Sequence, residues 1–374
     1  MYSPLAGVRV LELAPFLPGP FAGAQLLALG AEVVKLEPPG GDPGRHLPDG
    51  LFAMNNRGKR SVCVNLKAAG ARDLVQRLVA GFDVVLEGFR PGVAARLGVD
   101  YATLRQARPD LIYCALSGFG QTGPRAAWPG HDLTYLAAAG ALSRPGHWSG
   151  PARRPGVPVA DTAAGLFAAL AVVSALLRRA GTGEGAYLDA SITDAALSLA
   201  ACRGLAPPTS RTHLHPANDV FTCADGAELA AGLLENHFFS GFVTALGAEG
   251  APLTEPRFAT VAARQMHGDE LQQRLAAIFK ARTATDWEAF GAAHGLPLVR
   301  VRSVAEALAD QHPGAPAPDF AVRVDGARLP APPTDAPALG ADTAALLGAI
   351  GYDAAARAAL CAAGVLPPCP SEPA

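Results

Sequence analysis

Along the N-terminal half of the chain, short apolar and β-branched runs alternate with longer stretches whose apolar residues recur every three or four positions. Residues 8–13 (VRVLEL) read as a strand, 20–29 as a helix and 32–37 (EVVKLE) as a second strand. That is a βαβ crossover, which implies a parallel sheet. The alternation continues through a strand at 61–66 (SVCVNL), a helix at 69–79, a strand at 83–89 (DVVLEGF), a short helix ending near Leu97 and a strand at 111–120, each strand run closed by Gly or Pro. The run 162–177 (TAAGLFAALAVVSALL) is apolar throughout, but Asp161 and Arg178-Arg179 flank it and it falls short of the ~20 residues that a bilayer core requires. It is predicted to be a buried helix of a soluble protein, followed by a strand and another helix over AYLDASITDAALSLA.

Downstream the rhythm changes. FTCADGAELAAGLL has the alternation of a hairpin and LQQRLAAIFKARTATDWEAFGAA has helical spacing, so a smaller domain is expected. The predicted fold class is α/β: a large Rossmann-like parallel-sheet domain over residues 1–203, with 325–374 returning to it, plus a smaller α+β domain over 220–312. Residues 204–219 (GLAPPTSRTHLHPAND) read as a linker, 313–341 as a proline-rich linker, and LPPCPSEPA as a frayed tail. No internal repeat is evident.

A chain of 374 residues, half of them hydrophobic, can bury one large core or two unequal ones. The net charge of -2 argues against an extended nucleic-acid footprint and leaves a small molecule as the expected partner. Six cysteines (Cys63, Cys114, Cys202, Cys223, Cys361, Cys369) show no ligand spacing, and His213, His215 and His237 have no partner set. Neither a metal site nor a disulfide framework is expected, and reduced thiols in a cytosol fit best. Arg9, Glu12 and several prolines interrupt the apolar N-terminus, against a signal peptide and against membrane attachment. The first strand-to-helix turn, PFLPGPFAG, also lacks the dinucleotide fingerprint. Gly19 and Gly23 are in the wrong arrangement, and Pro20 has no amide to face a pyrophosphate, although Glu37 ends the second strand as a ribose-binding acid would.

Eight stretches, in order, carry a resemblance: GVRVLELAPFLPGP, AEVVKLEPPGGD, NNRGKRSVCVNLK, EGFRPGVAARLGV, GFGQTGP, GHDLTYLAAAGAL, VADTAAGLFAALA and GLLENHFF. Together they resemble the family III coenzyme A transferase superfamily (CaiB/BaiF type), and Gly130-His131-Asp132 is similar to the G-H-D motif of its α-methylacyl-CoA racemase branch. The resemblance implies an interlocked homodimer acting on an acyl-CoA thioester, with no cofactor beyond the coenzyme A of the substrate. It implies that His131 and Asp161 are the acid-base pair. In the transferases the aspartate at the Asp161 position is instead the nucleophile, and a non-catalytic thioester-binding relative is a third reading. Glu235 is similar to a racemase glutamate that bonds the catalytic histidine, which implies a cleft between domains or across the dimer. The implied coenzyme A contacts are Val64, Asn65, Leu66, Lys67, Gly88, Phe89, Arg90, Arg96, Gly130 and Tyr135.

The chemistry of the residues agrees. Inverting a stereocentre beside a thioester carbonyl needs one group to remove a proton and another to deliver one to the opposite face of the same carbon. A neutral His131 suits the first task, and an Asp161 with a raised pKa suits the second. Asp132, if it opens a helix, would offer its backbone amide to an enolate oxygen and its side chain as a cap to that helix; Asp161, taken alone, would be an N-cap. Pro38 stands where many racemases carry Arg, which leaves Arg57, Lys59 or Arg60 to supply charge for the phosphates. TAAG follows Asp161 where relatives have more glycine, and three methionines do not make a methionine-lined acyl surface.

Overall fold

The structure is a computed structural model that describes residues 2–150, 154–205, 211–329, 331–332 and 334–368. The chain divides into two units, residues 1–139 with 156–200 and 312–374, and residues 140–155 with 201–311.

The first unit is built on a six-stranded sheet of β1 (Arg9–Leu13), β2 (Glu32–Glu37), β3 (Arg60–Cys63), β4 (Val84–Glu87), β5 (Ile112–Ser117) and β6 (Ala186–Ser191) in the order β3-β2-β1-β4-β5-β6. Every pairing is parallel. The helices are α1 (Pro18–Ala28), α2 (Leu51–Asn56), α3 (Ala71–Val79), α4 (Val93–Leu97), α5 (Tyr101–Leu104), α6 (Asp132–Ala138), α7 (Val159–Thr182) and α8 (Ile192–Ala201). Because crossover helices cover a parallel sheet, its central strands are continuous apolar runs, and Val10, Leu11, Val84, Val85 and Ile112 are fully buried.

Four charged exceptions, Glu12, Lys35, Glu37 and Glu87, stand in the carboxyl-terminal halves of their strands and are buried. The chain order reverses between β1 and β4, and in open α/β sheets a ligand crevice forms beyond the carboxyl ends at such a switch point.

Helix α7 is longer than its apolar run suggested: it has 24 residues, long and apolar enough to cross a membrane, so the length argument against a span does not hold. Its small face (Ala160, Ala164, Ala168, Val172) is packed inside the unit and runs beside α1, while Leu166, Leu170 and Leu177 are exposed.

The second unit holds an antiparallel sheet of β7 (Asn218–Thr222), β8 (Glu228–Gly232) and β9 (Leu298–Arg300), with α9 (Asn236–Leu246), α10 (Val261–Met266), α11 (Gly268–Phe279), α12 (Ala284–His294) and α13 (Val304–Gln311). The chain then returns to the first unit through the β10 (Arg323–Val324) and β11 (Ala327–Arg328) ribbon, α14 (Thr343–Ala349) and α15 (Ala354–Ala362). Leu346, Leu347, Val365 and Leu366 join the core of the first sheet.

Three boundaries differ from those read in the sequence. Residues 140–155, assigned there to the large domain, belong to the second unit. Their anchor is Trp148, whose backbone N–H donates to Asp219 (2.8 Å) and whose indole donates to Asp269 (2.8 Å). The expected linker 204–219 ends inside β7, and its residues 206–210 lie outside the described residues. The proline-rich stretch 313–341 is no free linker: Gly58 donates to the Asp335 carbonyl and Arg45 to the Pro337 carbonyl (3.0 Å). Cys63, Cys114, Cys202 and Cys223 are free thiols, whereas Cys361 is disulfide-bonded, against the expectation of reduced thiols throughout. Cys369 and most of the tail lie outside the described residues.

Candidate active site

At the switch point the loops after β1, β4 and β5 enclose a cavity of about 480 Å³. Ala14, Pro15 and Phe16 come from the first loop, Gly88, Phe89, Arg90 and Pro91 from the second, and Ser117 and Gly118 from the third. Trp128, Gly130, His131, Thr134 and Tyr135 close one side, and Asp161 enters from α7. Every lining residue belongs to the first unit.

His131 is the N-cap residue of α6, in extended conformation. Its backbone N–H donates to Thr134 Oγ1 (2.9 Å), and its carbonyl accepts from the Thr134 hydroxyl (2.8 Å). The backbone is therefore tied down while the ring faces the cavity. The Phe16 ring stands perpendicular to it, with centroids 6.4 Å apart. Gly130 is dictated by Tyr135, since a Cβ there would lie 2.4 Å from the phenol ring; the same holds at Gly118, at 2.5 Å.

Asp161 occupies the first turn of α7 but is not its N-cap, a position held by Pro158. The cap is supplied from elsewhere. Buried Asp132 accepts through Oδ1 from the backbone N–H of Ala160 (2.8 Å) and of Asp161 (3.3 Å). This corrects both capping expectations: Asp132 opens α6, but its side chain caps the neighbouring helix. The consequence is electrostatic as well as structural. Burial, reinforced by the like charge of Asp132, pushes the Asp161 carboxyl up to about 7. Burial and Asp161 together also raise the Tyr135 phenol.

A second raised acid stands below the β4 loop. Glu87 is buried and pushed up to about 7 by that burial, and it accepts the Phe89 N–H at 2.6 Å, which shapes the turn carrying Gly88, Phe89 and Arg90 into the cavity.

Of the residues expected from the sequence, Gly88, Phe89, Arg90, Gly130, His131, Tyr135 and Asp161 line the one cavity. Asp132 lies behind the wall, so its amide is not among the lining groups. Val64 is fully buried in the core of the first unit, while Asn65 donates through its backbone N–H to the Val365 carbonyl (2.8 Å) and through its side chain to the Gly364 carbonyl (3.1 Å). These two, with Leu66 and Lys67 beside them and Arg96 on α4, lie outside the cavity lining. Glu235 is the exposed N-cap residue of α9 in the second unit and does not line the cavity.

The cations offered as substitutes at Pro38 are engaged. Lys59 is buried, with Nζ 2.8 Å from Glu12, 2.9 Å from the Pro20 carbonyl and 3.0 Å from Asn56. Arg60 pairs with Glu32 and Asp342, and Arg57 with Asp335. A Cβ on Gly23 would lie 2.1 Å from a Glu12 carboxylate oxygen, so that glycine makes room for a buried ion pair and not for a phosphate. Sequence reasoning missed this network and the aromatic wall of Phe16 and Trp128. The one legible signal was a charged residue inside each of two apolar strand runs, RVLEL and EVVKLE. Among the described residues no group of His, Cys, Asp and Glu is arranged to hold a metal ion.

Comparison with known proteins agrees with this architecture. The family model for CoA-transferase family III matches residues 5–343. The chain is 34% identical over 330 residues to the succinate–glutarate CoA-transferase of Agrobacterium fabrum, covering 82% of each protein. It is 33% identical over 339 residues to the alpha-methylacyl-CoA racemase of Mus musculus, covering 88% of this chain and 84% of that one. A crystal structure of a CAIB/BAIF family protein from Brucella suis superposes with a TM-score of 0.81 at 30% identity, covering 94% of this chain and all of the other. The chain belongs to CoA-transferase family III.

Proposed function

We propose that the protein interconverts the (R) and (S) forms of a 2-methyl-branched acyl-CoA thioester. The observation that carries this reading is the convergence of His131 and Asp161, with its carboxyl raised to about 7, on one cavity. A carboxyl of that kind is available in its protonated form near neutrality and can donate a proton. A nucleophile in the same position would have to be ionised.

In one direction the neutral imidazole of His131 takes the α-proton, and the C–H electron pair moves into the enolate. The Asp161 carboxyl then delivers its proton to the opposite face of that carbon, leaving imidazolium and carboxylate; the reverse direction exchanges the roles. Among the residues lining the cavity, the Tyr135 hydroxyl and the Arg90 guanidinium are read as the donors to the enolate oxygen. From the resemblance to the racemases, Glu235 is read as the carboxylate that steadies the imidazolium, and a homodimer is the proposed assembly. No cofactor is required beyond the coenzyme A carried by the substrate, and the cytosol is the proposed compartment.

The competing reading, transfer of CoA between carboxylic acids, is favoured by the relatives, most of which carry CoA-transferase names. In that reaction Asp161 attacks the thioester carbonyl, expels the CoA thiolate and forms a mixed anhydride. Incubation with a 2-methylacyl-CoA in deuterated water separates the two. Deuterium at the α-carbon with loss of stereochemical purity, abolished by His131→Ala, is the expected result. CoA appearing on an added carboxylic acid, with no exchange, would sink the racemase reading.

A further inference from the structure

Phe16 is one of two described non-glycine residues with a positive φ, at 62°, and it is the one that lines the cavity. A left-handed phenylalanine is strained and persists only where its surroundings over-determine it. Here the restraint is visible. The Phe16 N–H donates to Oδ1 of Asp42 (3.1 Å), a carboxylate only 2% exposed that also accepts from Gly44 (2.8 Å). Its other oxygen lies 2.8 Å from Lys35 Nζ, which is itself buried and donates to Glu12 (2.9 Å) and to the Ala14 carbonyl (2.8 Å). One ammonium thus ties the two ends of the Ala14 to Phe16 loop, directly at Ala14 and through Asp42 at Phe16. The ring so placed stands perpendicular to that of His131.

We propose that Asp42, held by Lys35, is a positioning residue: it locks Phe16 in the left-handed conformation so that the phenyl ring fixes the orientation of the His131 imidazole and shields one side of it from water. The inference rests on the acid-base role of His131 for its effect on turnover, but the placement of the ring is testable without it. Neither Lys35 nor Asp42 is among the residues that line the cavity. The loop conveys their effect through backbone geometry alone, which is why a sequence motif does not reveal it.

The readout independent of turnover is the rate at which diethyl pyrocarbonate modifies His131, followed by peptide mass spectrometry on the full chain. Phe16→Gly keeps the left-handed backbone without strain and deletes the ring. It is expected to label roughly fivefold faster and to lose roughly tenfold in kcat with KM within about twofold, because orientation and not binding is lost. Phe16→Leu, which keeps apolar bulk, should recover most of both losses. Asp42→Asn should shift both readouts in the same direction as Phe16→Gly, and adding it to Phe16→Gly should change neither further, as expected for residues acting through one element.

Hydrogen exchange of the Phe16 amide in the unaltered protein needs no variant: protection supports the lock, and exchange at the free-peptide rate overturns it. Unchanged His131 labelling in Phe16→Gly also overturns it. Faster labelling in that variant, from a protein that shows no α-proton exchange, would leave the lock standing and sink the racemase reading instead.

Discussion

The two units fill their interiors in opposite ways. Beside its apolar core the first buries a charged network, Glu12, Lys35, Asp42 and Lys59, bonded to the Ala14 to Phe16 loop that lines the cavity. The second buries rings: Phe221, Phe242, Phe258, Phe279 and Trp287 form one cluster, and its fully buried cation, Arg264, donates through its terminal nitrogens to the carbonyls of Phe258 and Leu234 and to the Asn236 side chain. Rings supply buried area without directional demands, whereas buried ion pairs add little net stability after desolvation and severely penalise any arrangement that breaks them. The difference teaches that the first unit spends its interior on geometry around the cavity, and the second on cohesion.

The largest effect that tests this contrast comes from removing one member of each interior. Glu12→Leu leaves the buried Lys59 ammonium without a carboxylate and takes one of two from Lys35, and is expected to cost about 5 kcal/mol at pH 7, while Trp287→Ala should cost about 4 kcal/mol through lost contacts and a cavity. Chemical denaturation at two pH values distinguishes them. Burial lowers the Lys59 ammonium to about 8 even beside Glu12, and without that carboxylate it falls further, so the variant sheds the proton more readily and the Glu12→Leu penalty should shrink as the pH is raised to 9. The Trp287→Ala penalty should stay flat, and equal pH responses would break the contrast.

A smaller effect is expected at the cavity itself, where a raised acid implies a fold held back by its own site. The folded-state carboxyl of Asp161, at about 7, holds its proton through a range in which the unfolded chain, near the ordinary 3.8, has lost it. Stability attributable to this group is therefore fully present below about pH 4 and declines as the pH rises toward 7. Asp161→Asn should abolish turnover and raise stability by about 2 kcal/mol at pH 8, with no gain at pH 4. A variant less stable at pH 8 than the parent would show that the carboxylate is a net support.

The smallest effect concerns how Asp161 is tuned. Asp132→Asn can still accept the two helix amides but removes the like charge, so the Asp161 carboxyl should fall while staying above its ordinary value because burial persists. In the pH profile of α-proton exchange, the loss of activity that follows Asp161 deprotonation should begin at lower pH. An unmoved limb would mean that burial alone sets the value.

Much of the first unit was legible because a parallel sheet writes itself as continuous apolar runs, and His131, Asp161 and the Gly88 to Arg90 turn were found through local motifs. The misassigned segments fail for a shared reason. The segment around Trp148 is held by long-range bonds, from Trp148 and His147 to Asp219 and from the Trp148 indole to Asp269, and such partners, about 70 to 120 positions apart, leave no periodic trace. Val64 to Lys67, which resemble ligand contacts in sequence, lie outside the cavity lining, and the backbone and side chain of Asn65 bond the chain segment near residue 365.

The sequence by itself determined the element order, the parallel sheet and the family, and singled out His131 and Asp161 as candidates, because hydrophobic period, crossover handedness and contiguous motifs are local properties. Only the tertiary structure decided that Asp132 caps the helix of Asp161 and raises its carboxyl, that Lys59 and Arg60 are already paired, and that Asp42 reaches across from residue 42 to hold Phe16. Those outcomes depend on which buried charge finds which partner, and in a low-dielectric interior that is settled by positions ångströms apart in space and tens of residues apart in the chain.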